Sequence, residues 1–483
     1  MDKIKRLFNF VLPVTTCNFQ CHYCYVRQDG CATGEMGDLS YSPEQIQRAM
    51  TVERLGGICH INMCGLGETL LADYAVELAG RMLENGHYVS VVTNGTIRKR
   101  IQELCEFPEE WRGRMFFKFS FHYIELLRHG NLDAFFETIA YVKACGCAFS
   151  VELTVNDETV LLISEIQELC MERLGAYCHV IESRNNQDGM SRLTVLPVEK
   201  HQTAWSKFES PLFAFQQEHW MKKREEFCYA GDWILSLDVA SGWIYPCFGG
   251  GNAIQNIFEN PEEKIRFTAI GHNCCWTHCY AAYVLLTSGA IPEVQGPPYA
   301  MFRDRICTDG STWLTTTVRS FFESKLSDTN SMYSPEKALY IDALMALEYN
   351  SPREFELIKL SAAVEKKLSK KGIHSVAVWG TGKGAKWILS VLSKSSISVK
   401  YLIDTEFSYC DALSIQEKAK RICKYPIKRI LSPTGKAVLV NRYDRVPRVD
   451  AVIVLNHAHF EQERIRIGDR SDRVLSLTEL ADD

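Results

Sequence analysis

The chain has 483 residues, which is enough for two to four domains. Hydrophobic residues make up 46% of it and charged residues 23%, as in an ordinary globular protein. The formal net charge of −5 does not favour a nucleic-acid partner, and no apolar run reaches the roughly 18 residues that a membrane helix requires. We therefore expect a cytoplasmic protein without nucleic-acid or membrane partners.

The N-terminal stretch MDKIKRLFNFVLPV is basic and then apolar, as in a secretory signal peptide. Its apolar part is only about seven residues long, and no small-residue cleavage site follows it. We interpret it as a first β-strand. Without a signal peptide, the 19 cysteines favour metal or cluster binding over a secreted disulfide framework.

From Phe8 to about Glu182, short β-rich runs alternate with helical stretches. One predicted helix covers residues 42–55, with Ser42 as its N-cap and Pro43 in its first position. Six βα units in series predict a parallel sheet and are too few for an eight-fold barrel, so we expect an α/β fold with a partial (βα)6 TIM-like barrel. Its site should lie at the C-terminal ends of the strands. The predicted strands are FNFVLPV from Phe8, ICHINMCG from Ile58, HYVSVVTN from His87, MFFKFSF from Met115, AFSVELTV from Ala148 and AYCHVIE from Ala176.

The sequence changes character after this barrel, which we assign to residues 1–210. Residues 211–284 form a small cysteine-rich module, and WILSLDVASGWIYPC within it predicts two strands around a turn at 238–242. Residues 285–371 read as a helical extension that ends in the charged linker EKKLSKKG. A second α/β pattern over 372–483 predicts a Rossmann-like domain.

The first cysteine group follows the first predicted strand directly. Cys17, Cys21 and Cys24 stand in the spacing C-x3-C-x2-C. Three thiols are an odd number for disulfides and one short of a closed zinc site, although an incomplete zinc site is an alternative. Fully ligated 4Fe–4S electron carriers use four cysteines, so three would leave one iron open to a ligand from outside the protein.

With Tyr23, these cysteines complete C-x3-C-x-aromatic-C, the hallmark of the radical S-adenosylmethionine (radical SAM) superfamily, which residues 1 to about 205 resemble. The resemblance implies that Cys17, Cys21 and Cys24 hold a catalytic 4Fe–4S cluster. The amino and carboxylate groups of S-adenosylmethionine would chelate the open iron. One electron would then cleave the cofactor to a 5′-deoxyadenosyl radical, which abstracts hydrogen from a substrate.

Further segments at predicted strand ends resemble the cofactor-binding motifs of the same superfamily. They are CGLGETLL with Gly65, Gly67 and Glu68, TNGT with Asn94, FSFHYIEL with Ser120 and His122, and the later Arg184. The resemblance assigns the glycines and Glu68 to the methionine ammonium, although Leu66 interrupts the usual glycine pair. It assigns Ser120 to the ribose, His122 to the cavity and Arg184 to the cofactor carboxylate. An ordinary turn at TNGT, a structural His122 and a solvated Arg184 are the alternatives.

The second cysteine group resembles the SPASM and twitch modules of the same superfamily, through C-x13-G-x4-C and a later C-x3-C. The residues are Cys228, Gly242, Cys247, Cys275 and Cys279, with Cys274 as a spare. A hairpin would bring the first two thiols together, and the glycine would make its turn. The resemblance implies one fully ligated auxiliary 4Fe–4S cluster and favours oxidative chemistry. A four-cysteine zinc site is the alternative.

In the C-terminal region a predicted strand leads into Gly380-x-Gly382-x-x-Ala385, and a second strand ends at Asp404. This approximates the dinucleotide-binding fingerprint, with a tight turn, a helix N-terminus for the phosphates and an acid for the ribose. NAD, a nucleotide sugar and no ligand at all are the three possibilities for this domain.

These features favour a radical enzyme that oxidises or otherwise modifies a sugar, glycan or nucleotide-linked sugar, with flavodoxin or ferredoxin as reductant. A peptide-modifying radical enzyme is the first alternative. No leader-peptide-binding domain precedes the first strand, which weighs modestly against it. The second alternative is a non-catalytic iron–sulfur electron-transfer protein.

Overall fold

The structure is a computed structural model. It describes residues 2–248, 253–272, 274, 276, 278–279, 281–349, 364–379, 388–389, 392, 395–403, 438–440, 449–454 and 474–476. Within these ranges, no helix combines the length and the apolar character needed to cross a membrane.

The chain divides into two compact units. The first comprises residues 1–252, 256–269 and 276–332, and the second comprises 253–255, 270–275 and 333–483. The boundaries that we expect at 210, 284 and 371 remain predictions, because compactness alone does not delimit the smaller modules.

The first unit is built on a parallel sheet whose first six strands lie side by side in sequence order. All five pairings between them are parallel. This confirms the α/β core expected of a partial TIM-like barrel, and every predicted strand is present. The strands are β1 (Arg6–Leu12), β2 (Cys59–Gly65), β3 (Tyr88–Thr93), β4 (Met115–Phe121), β5 (Ala148–Thr154) and β6 (His179–Ile181).

The helices of the barrel follow the strands, with one correction. The helix expected over 42–55 is two helices, because the Thr51 side chain accepts a hydrogen bond from the Arg54 N–H and caps a second start. The Ser42 capping box and Pro43 at the first position are confirmed. The helices are α1 (Tyr25–Gln28), α2 (Pro43–Ala49), α3 (Val52–Leu55), α4 (Ala75–Glu84), α5 (Arg98–Cys105), α6 (Glu109–Arg112), α7 (Tyr123–Arg128), α8 (Leu132–Ala144), α9 (Ile163–Leu174), α10 (Val198–Trp205) and α11 (Pro211–His219).

Apolar side chains of the strands form the core under these helices. Phe121 at the end of β4 stacks on Phe135 of α8 with ring centroids 5.2 Å apart, and both rings are buried. Burial of a side chain of this size stabilises the fold by about 1.5–3 kcal/mol relative to exposure. The contact fixes α8 against the strand end that opens onto the site.

The predicted hairpin continues the same sheet on the other side of β1. A small ribbon of β7 (Arg184–Asn185) and β8 (Ser191–Arg192) precedes it, and the hairpin region comprises β9 (Ile234–Asp238), β10 (Trp243–Tyr245) and β11 (Gln255–Asn256). Strand β9 pairs parallel with β1 from Leu7↔Ile234 to Val11↔Asp238, and antiparallel with β10. The sheet order is therefore β11-β10-β9-β1-β2-β3-β4-β5-β6.

The predicted turn of this hairpin depends on Gly242. Its φ is +84°, and a Cβ added there would lie 2.6 Å from Oδ1 of Asn256 and 2.7 Å from the Phe258 ring. Only glycine avoids both the strain and the clash. Two further helices of the first unit follow, α12 (Ala282–Leu285) and α13 (Thr316–Glu323).

Among the residues of the second unit that the structure describes are α14 (Pro335–Tyr349) and a sheet of five strands. The pairings are parallel, and the order is β14-β13-β12-β15-β16, which reverses between β12 and β15 as in doubly wound sheets. Gly380, Gly382 and Asp404 lie outside the described residues, so the dinucleotide site stays a prediction. The strands are β12 (Ser375–Trp379), β13 (Ser398–Ile403), β14 (Val438–Val440), β15 (Ala451–Val454) and β16 (Val474–Ser476).

Candidate functional site

A cavity of about 370 Å³ opens at the C-terminal ends of the barrel strands. Most of the residues predicted for the cofactor site line it together, although they come from four separate strand ends. The lining includes Cys17, Cys21, Tyr23, Cys24, Gly65, Gly67, Glu68, Asn94, Ser120 and His122. The parallel sheet explains this convergence, because it places all its C-terminal strand ends at one edge.

The three thiols of the first group lie on one wall of this cavity. Cys17 is exposed, Cys21 is buried, and Cys24 is half-buried at the N-terminus of α1. Burial raises the pKa of Cys21 to about 12 and also raises the pKa of Cys17. In the described part of the chain, no three His, Cys, Asp or Glu side chains close around a single metal ion. Three thiols on one cavity wall are the donor set that a 4Fe–4S cluster takes, and its binding would displace their protons.

Glu68 joins the loop after β2 to the loop after β3. Its carboxylate Oε1 accepts hydrogen bonds from the Leu70 N–H at 3.1 Å and the Thr93 hydroxyl at 2.6 Å, and Oε2 accepts one from the Asn94 N–H at 2.7 Å. Burial raises the pKa of Glu68, while these hydrogen bonds oppose the rise. A carboxylate has about four lone-pair sites, so the three bonds leave little capacity for a bound ammonium.

Gly67 allows the same loop to press against the cysteine loop. A Cβ at Gly67 would lie 2.0 Å from the Thr16 carbonyl oxygen, and the next residue donates its N–H to that oxygen at 2.9 Å. The glycine therefore serves the packing of one chain segment on another. The cofactor contact implied by the resemblance stays a prediction.

The TNGT segment holds the cysteine loop from the side of β3. The Asn94 amide donates to Oδ1 of Asn18 at 2.8 Å, and the Asn18 amide donates to the Thr96 hydroxyl at 2.8 Å. We call each contact that holds the cysteine loop an anchor: the hydrogen bond to the Thr16 carbonyl is the first, and that to Asn18 is the second. The third comes from α7, where Glu125 accepts a hydrogen bond from the Gln20 N–H at 3.0 Å. The buried Asn94 is thus a support of the loop that carries the thiols.

Tyr23 and His122 form a fourth anchor. The Tyr23 hydroxyl and Nδ1 of His122 are 2.9 Å apart, and both residues line the cavity. Burial lowers the pKa of His122 to about 4, so the ring is neutral, and in the tautomer protonated at Nε2 its Nδ1 accepts a hydrogen bond from the Tyr23 hydroxyl. The aromatic residue of the cysteine motif is therefore tied to the end of β4.

Ser120 and Arg184 differ in their access to the cavity. Ser120 lines it from β4, as expected for a group that faces a bound cofactor. Arg184 is half-buried, its guanidinium lies 4.1 Å from the centroid of Tyr25, and Nε donates to Asn186. Tyr25 is the lining residue of this pair, so a contact between Arg184 and a cofactor carboxylate stays a prediction.

In the second cysteine group, Cys228 and Cys247 are buried and Cys279 is half-buried. The hairpin brings the segments of the first two together, since a Cβ on Gly231 would lie 3.2 Å from Cβ of Pro246. Cys275 lies outside the described residues. The structure thus supports the predicted hairpin, while the auxiliary cluster remains a prediction.

The deeper end of the cavity contains a group of charges that was not expected from the sequence. Lys118 of β4 and Glu152 of β5 both line it, and Lys118 Nζ lies 3.1 Å from Oε2 of Glu152. Arg303 forms an ion pair with Oε1 of the same carboxylate. The signal was a single charged residue inside each of two buried neighbouring strands, MFFKFSF and AFSVELT. Such residues are costly to bury unless they are paired.

Residues 11–165 match the model of the Radical SAM superfamily. The match confirms the radical SAM domain expected from the first cysteine group, supports S-adenosylmethionine and a 4Fe–4S cluster as cofactors, and identifies the chain as an enzyme. A search of curated proteins returned no match.

Comparison with solved structures gave distant likenesses. Streptococcus suis SuiB bound to S-adenosylmethionine is 14% identical with a TM-score of 0.39, over 54% of this chain and 64% of SuiB. The structure of anSMEcpe with AdoMet and the Cp18Cys peptide is 17% identical with a TM-score of 0.37, over 53% of this chain and 79% of that chain. BtrN in an open conformation is 16% identical with a TM-score of 0.25, over 54% and 78%. The match thus spans less than two thirds of SuiB, and likenesses at these TM-scores carry no argument about function.

Proposed function

We propose that this protein is a radical SAM enzyme in which Cys17, Cys21 and Cys24 hold a 4Fe–4S cluster and the cavity receives S-adenosylmethionine beside the substrate. The observation that carries the proposal is the convergence of the three thiols with the loops after β2, β3 and β4 around one cavity. When bound, the cluster and cofactor would supply a 5′-deoxyadenosyl radical that removes a hydrogen atom from the substrate.

The residues of the chain position the reactants and protect the cavity. Four anchors hold the cysteine loop, through Thr16, Asn18, Gln20 and Tyr23. A loop held at several points keeps its thiols in one arrangement, as a site that must orient its ligands requires. Ser120 offers a hydroxyl to a cofactor ribose, and buried aromatic walls such as Tyr23 help to exclude water.

For the substrate we propose a sugar, glycan or nucleotide-linked sugar, which the enzyme would oxidise. The five-stranded sheet supports this choice, since its order is that of nucleotide-binding domains. Cys228, Cys247, Cys275 and Cys279 are proposed to hold an auxiliary cluster. A centre of this kind suits an oxidised product, because it can take up the electron that the substrate loses.

The proposal is tested by the formation of 5′-deoxyadenosine from S-adenosylmethionine in the anaerobically reconstituted, dithionite-reduced protein. We expect cleavage in the wild type and none in Cys17→Ala. A wild-type protein that binds iron and leaves the cofactor intact would favour the electron-transfer alternative.

The iron content tests the auxiliary cluster separately. Two 4Fe–4S clusters require about eight irons per chain, falling to about four when Cys17, Cys21 and Cys24 are all replaced. About four irons with bound zinc in the intact protein would contradict the second cluster. If the enzyme converts host peptides and turns over neither sugars nor nucleotide sugars, the proposed sugar substrate is wrong and a peptide takes its place.

A further inference from the structure

The deeper end of the cavity contains two cations that share one carboxylate. Glu152 receives Lys118 at Oε2, with 3.1 Å between the charged atoms, and Arg303 at Oε1. The Lys118 side chain is 16% exposed and that of Glu152 is 3% exposed. This cluster of three residues has one more positive than negative charge when all three are ionised.

Arg303 is held in place by two tyrosine rings, of which Tyr283 itself lines the cavity. It is fully buried between the rings of Tyr299 and Tyr283, with its Cζ 4.6 Å and 5.6 Å from their centroids. Among the described residues, none of its three guanidinium nitrogens has a hydrogen-bond acceptor and Oε1 of Glu152 has no donor, so the contact between them is an ion pair only. Arg303 therefore forms an ion pair with one oxygen of Glu152, so the charge of this carboxylate is shared between Arg303 and Lys118.

In the part of the chain that the structure describes, four further titratable groups near these cations supply no second negative charge. Burial lowers the pKa of His60 to about 3, so His60 is neutral at pH 7. Burial raises the pKa of Cys64 to about 11, and it also raises the pKa of Tyr283 and Tyr299, which keeps all three protonated. An unmatched buried charge is costly unless a counter-ion joins it.

Lys118 is the cation of the cluster that a ligand can reach, since Arg303 is fully buried and does not line the cavity. It lines the cavity two residues before Ser120 on β4, which places it about 7 Å deeper along the strand. Ser120 and the cysteine loop lie nearer the mouth. A group that contacts Lys118 is therefore set apart from a cofactor held at the mouth.

We infer that Lys118, held by Glu152 and Arg303, binds an anionic group of the substrate, either a carboxylate or a phosphate. The inference rests on the proposed function, since it places the substrate beneath the cofactor in the same cavity. Lys118 would contact the substrate, whereas Arg303 acts through Glu152 as a positioning residue. An anion there would stabilise the protonated form of Lys118, match its charge and orient the substrate.

The test measures how fast 1-fluoro-2,4-dinitrobenzene, whose leaving group is fluoride, modifies Lys118, read by mass spectrometry of the reconstituted protein with S-adenosylmethionine bound. Burial and the nearby Arg303 lower the pKa of Lys118 to about 7, so at pH 7 it should react faster than an exposed lysine such as Lys99. The probes are inorganic phosphate and acetate at constant ionic strength, with acetamide as the uncharged control. By mass action, an anion at about ten times its Kd should slow the reaction about tenfold.

Protection by phosphate alone would indicate a phosphorylated substrate group, and protection by acetate alone would indicate a carboxylate. Equal rates with both anions and with acetamide would overturn the inference. Complete protection by S-adenosylmethionine before any probe is added would also overturn it, because Lys118 would then belong to the cofactor site.

Variants give a second measurement of the same site. Phosphate or acetate should raise the Tm of the wild type, of Lys118→Arg and of the control Lys99→Met, and should leave that of Lys118→Met unchanged. An equal rise in Lys118→Met would contradict the inference. The wild type separates the two claims: anion protection without 5′-deoxyadenosine removes the proposed chemistry and keeps the anion site, and 5′-deoxyadenosine without anion protection does the reverse. Repeating the labelling in Cys17→Ala, where no cleavage is expected, should leave the anion protection unchanged.

Discussion

The mouth and the deeper end of one cavity are held together in different ways. At the mouth, the cysteine loop is held by several hydrogen bonds from neighbouring loops, such as Tyr23 to His122 and Asn94 to Asn18. At the deeper end, Lys118 and Arg303 depend on a single carboxylate. When several hydrogen bonds hold a loop, the loss of one leaves the loop in place, whereas the loss of the single carboxylate would leave both cations without their ion-pair partner. The difference suggests that the mouth maintains a fixed geometry and that the deeper end responds to its ligand.

The largest expected effect is at the thiols, which no anchor can replace. Cys21→Ala should abolish 5′-deoxyadenosine formation, because two thiols cannot hold the proposed cluster. Cys31→Ser is the matched control, since Cys31 is an exposed cysteine outside the motif. Retained cleavage in Cys21→Ala would contradict the assignment of the first cysteine group.

Glu68 is the exception to redundancy at the mouth, because three donors converge on its carboxylate. In Glu68→Gln, one oxygen becomes an amide that faces a donor, and we expect the free energy of unfolding to fall by about 2–3 kcal/mol. Urea unfolding measures this. The exposed Glu77→Gln in α4 should change it little. Equal effects in both variants would show that the three hydrogen bonds to Glu68 do not stabilise the fold.

Lys118 should make the free energy of unfolding depend on pH. Burial, with Arg303, lowers its pKa from 10.5 to about 7 in the folded protein. Between these values the unfolded chain binds more protons, so the wild-type free energy of unfolding should rise with pH relative to Lys118→Met, by at most about 1.4 kcal/mol per pH unit. Urea unfolding at pH 7 to 10 measures the difference. Parallel pH profiles would show that Lys118 is not coupled to its buried neighbours.

The smallest expected effect is at one anchor among several. Tyr23→Phe removes the 2.9 Å contact with His122 and keeps the aromatic ring. We expect the loss of one neutral hydrogen bond to cost about 1 kcal/mol, which corresponds to about fivefold in cofactor binding if the loop loosens. Calorimetric titration with S-adenosylmethionine measures it. A complete loss of binding would show that the anchors act as one unit.

The sequence was sufficient for the order of the barrel strands and for the radical SAM domain, because alternating βα patterns and cysteine spacing are local signals. It was less informative about how the motifs work. Glu68 and Gly67 were assigned to the cofactor, but both make contacts within the chain that spacing cannot reveal. The break between α2 and α3 was missed because Thr51 was not recognised as a second cap.

The charged cluster was harder to predict, since its members meet only in the folded chain. Lys118 and Glu152 become neighbours through the register of β4 with β5, in which Ser120 is opposite Glu152. Arg303 lies far from both residues in the sequence, and no local pattern predicts its ion pair with Glu152. A single charge in an apolar strand nevertheless predicts that a partner exists.

The pairing of β9 with β1 has a consequence for truncation. Strand β1 carries the cysteine loop at its end and lies between β2 and β9 in the sheet. Removal of the hairpin would turn β1 into an edge strand of seven residues, six of them buried at present. Exposed edges of this kind pair with other chains. A fragment that ends before β9 should therefore self-associate, and any minimal version of the enzyme must retain the hairpin as a cover for its first strand.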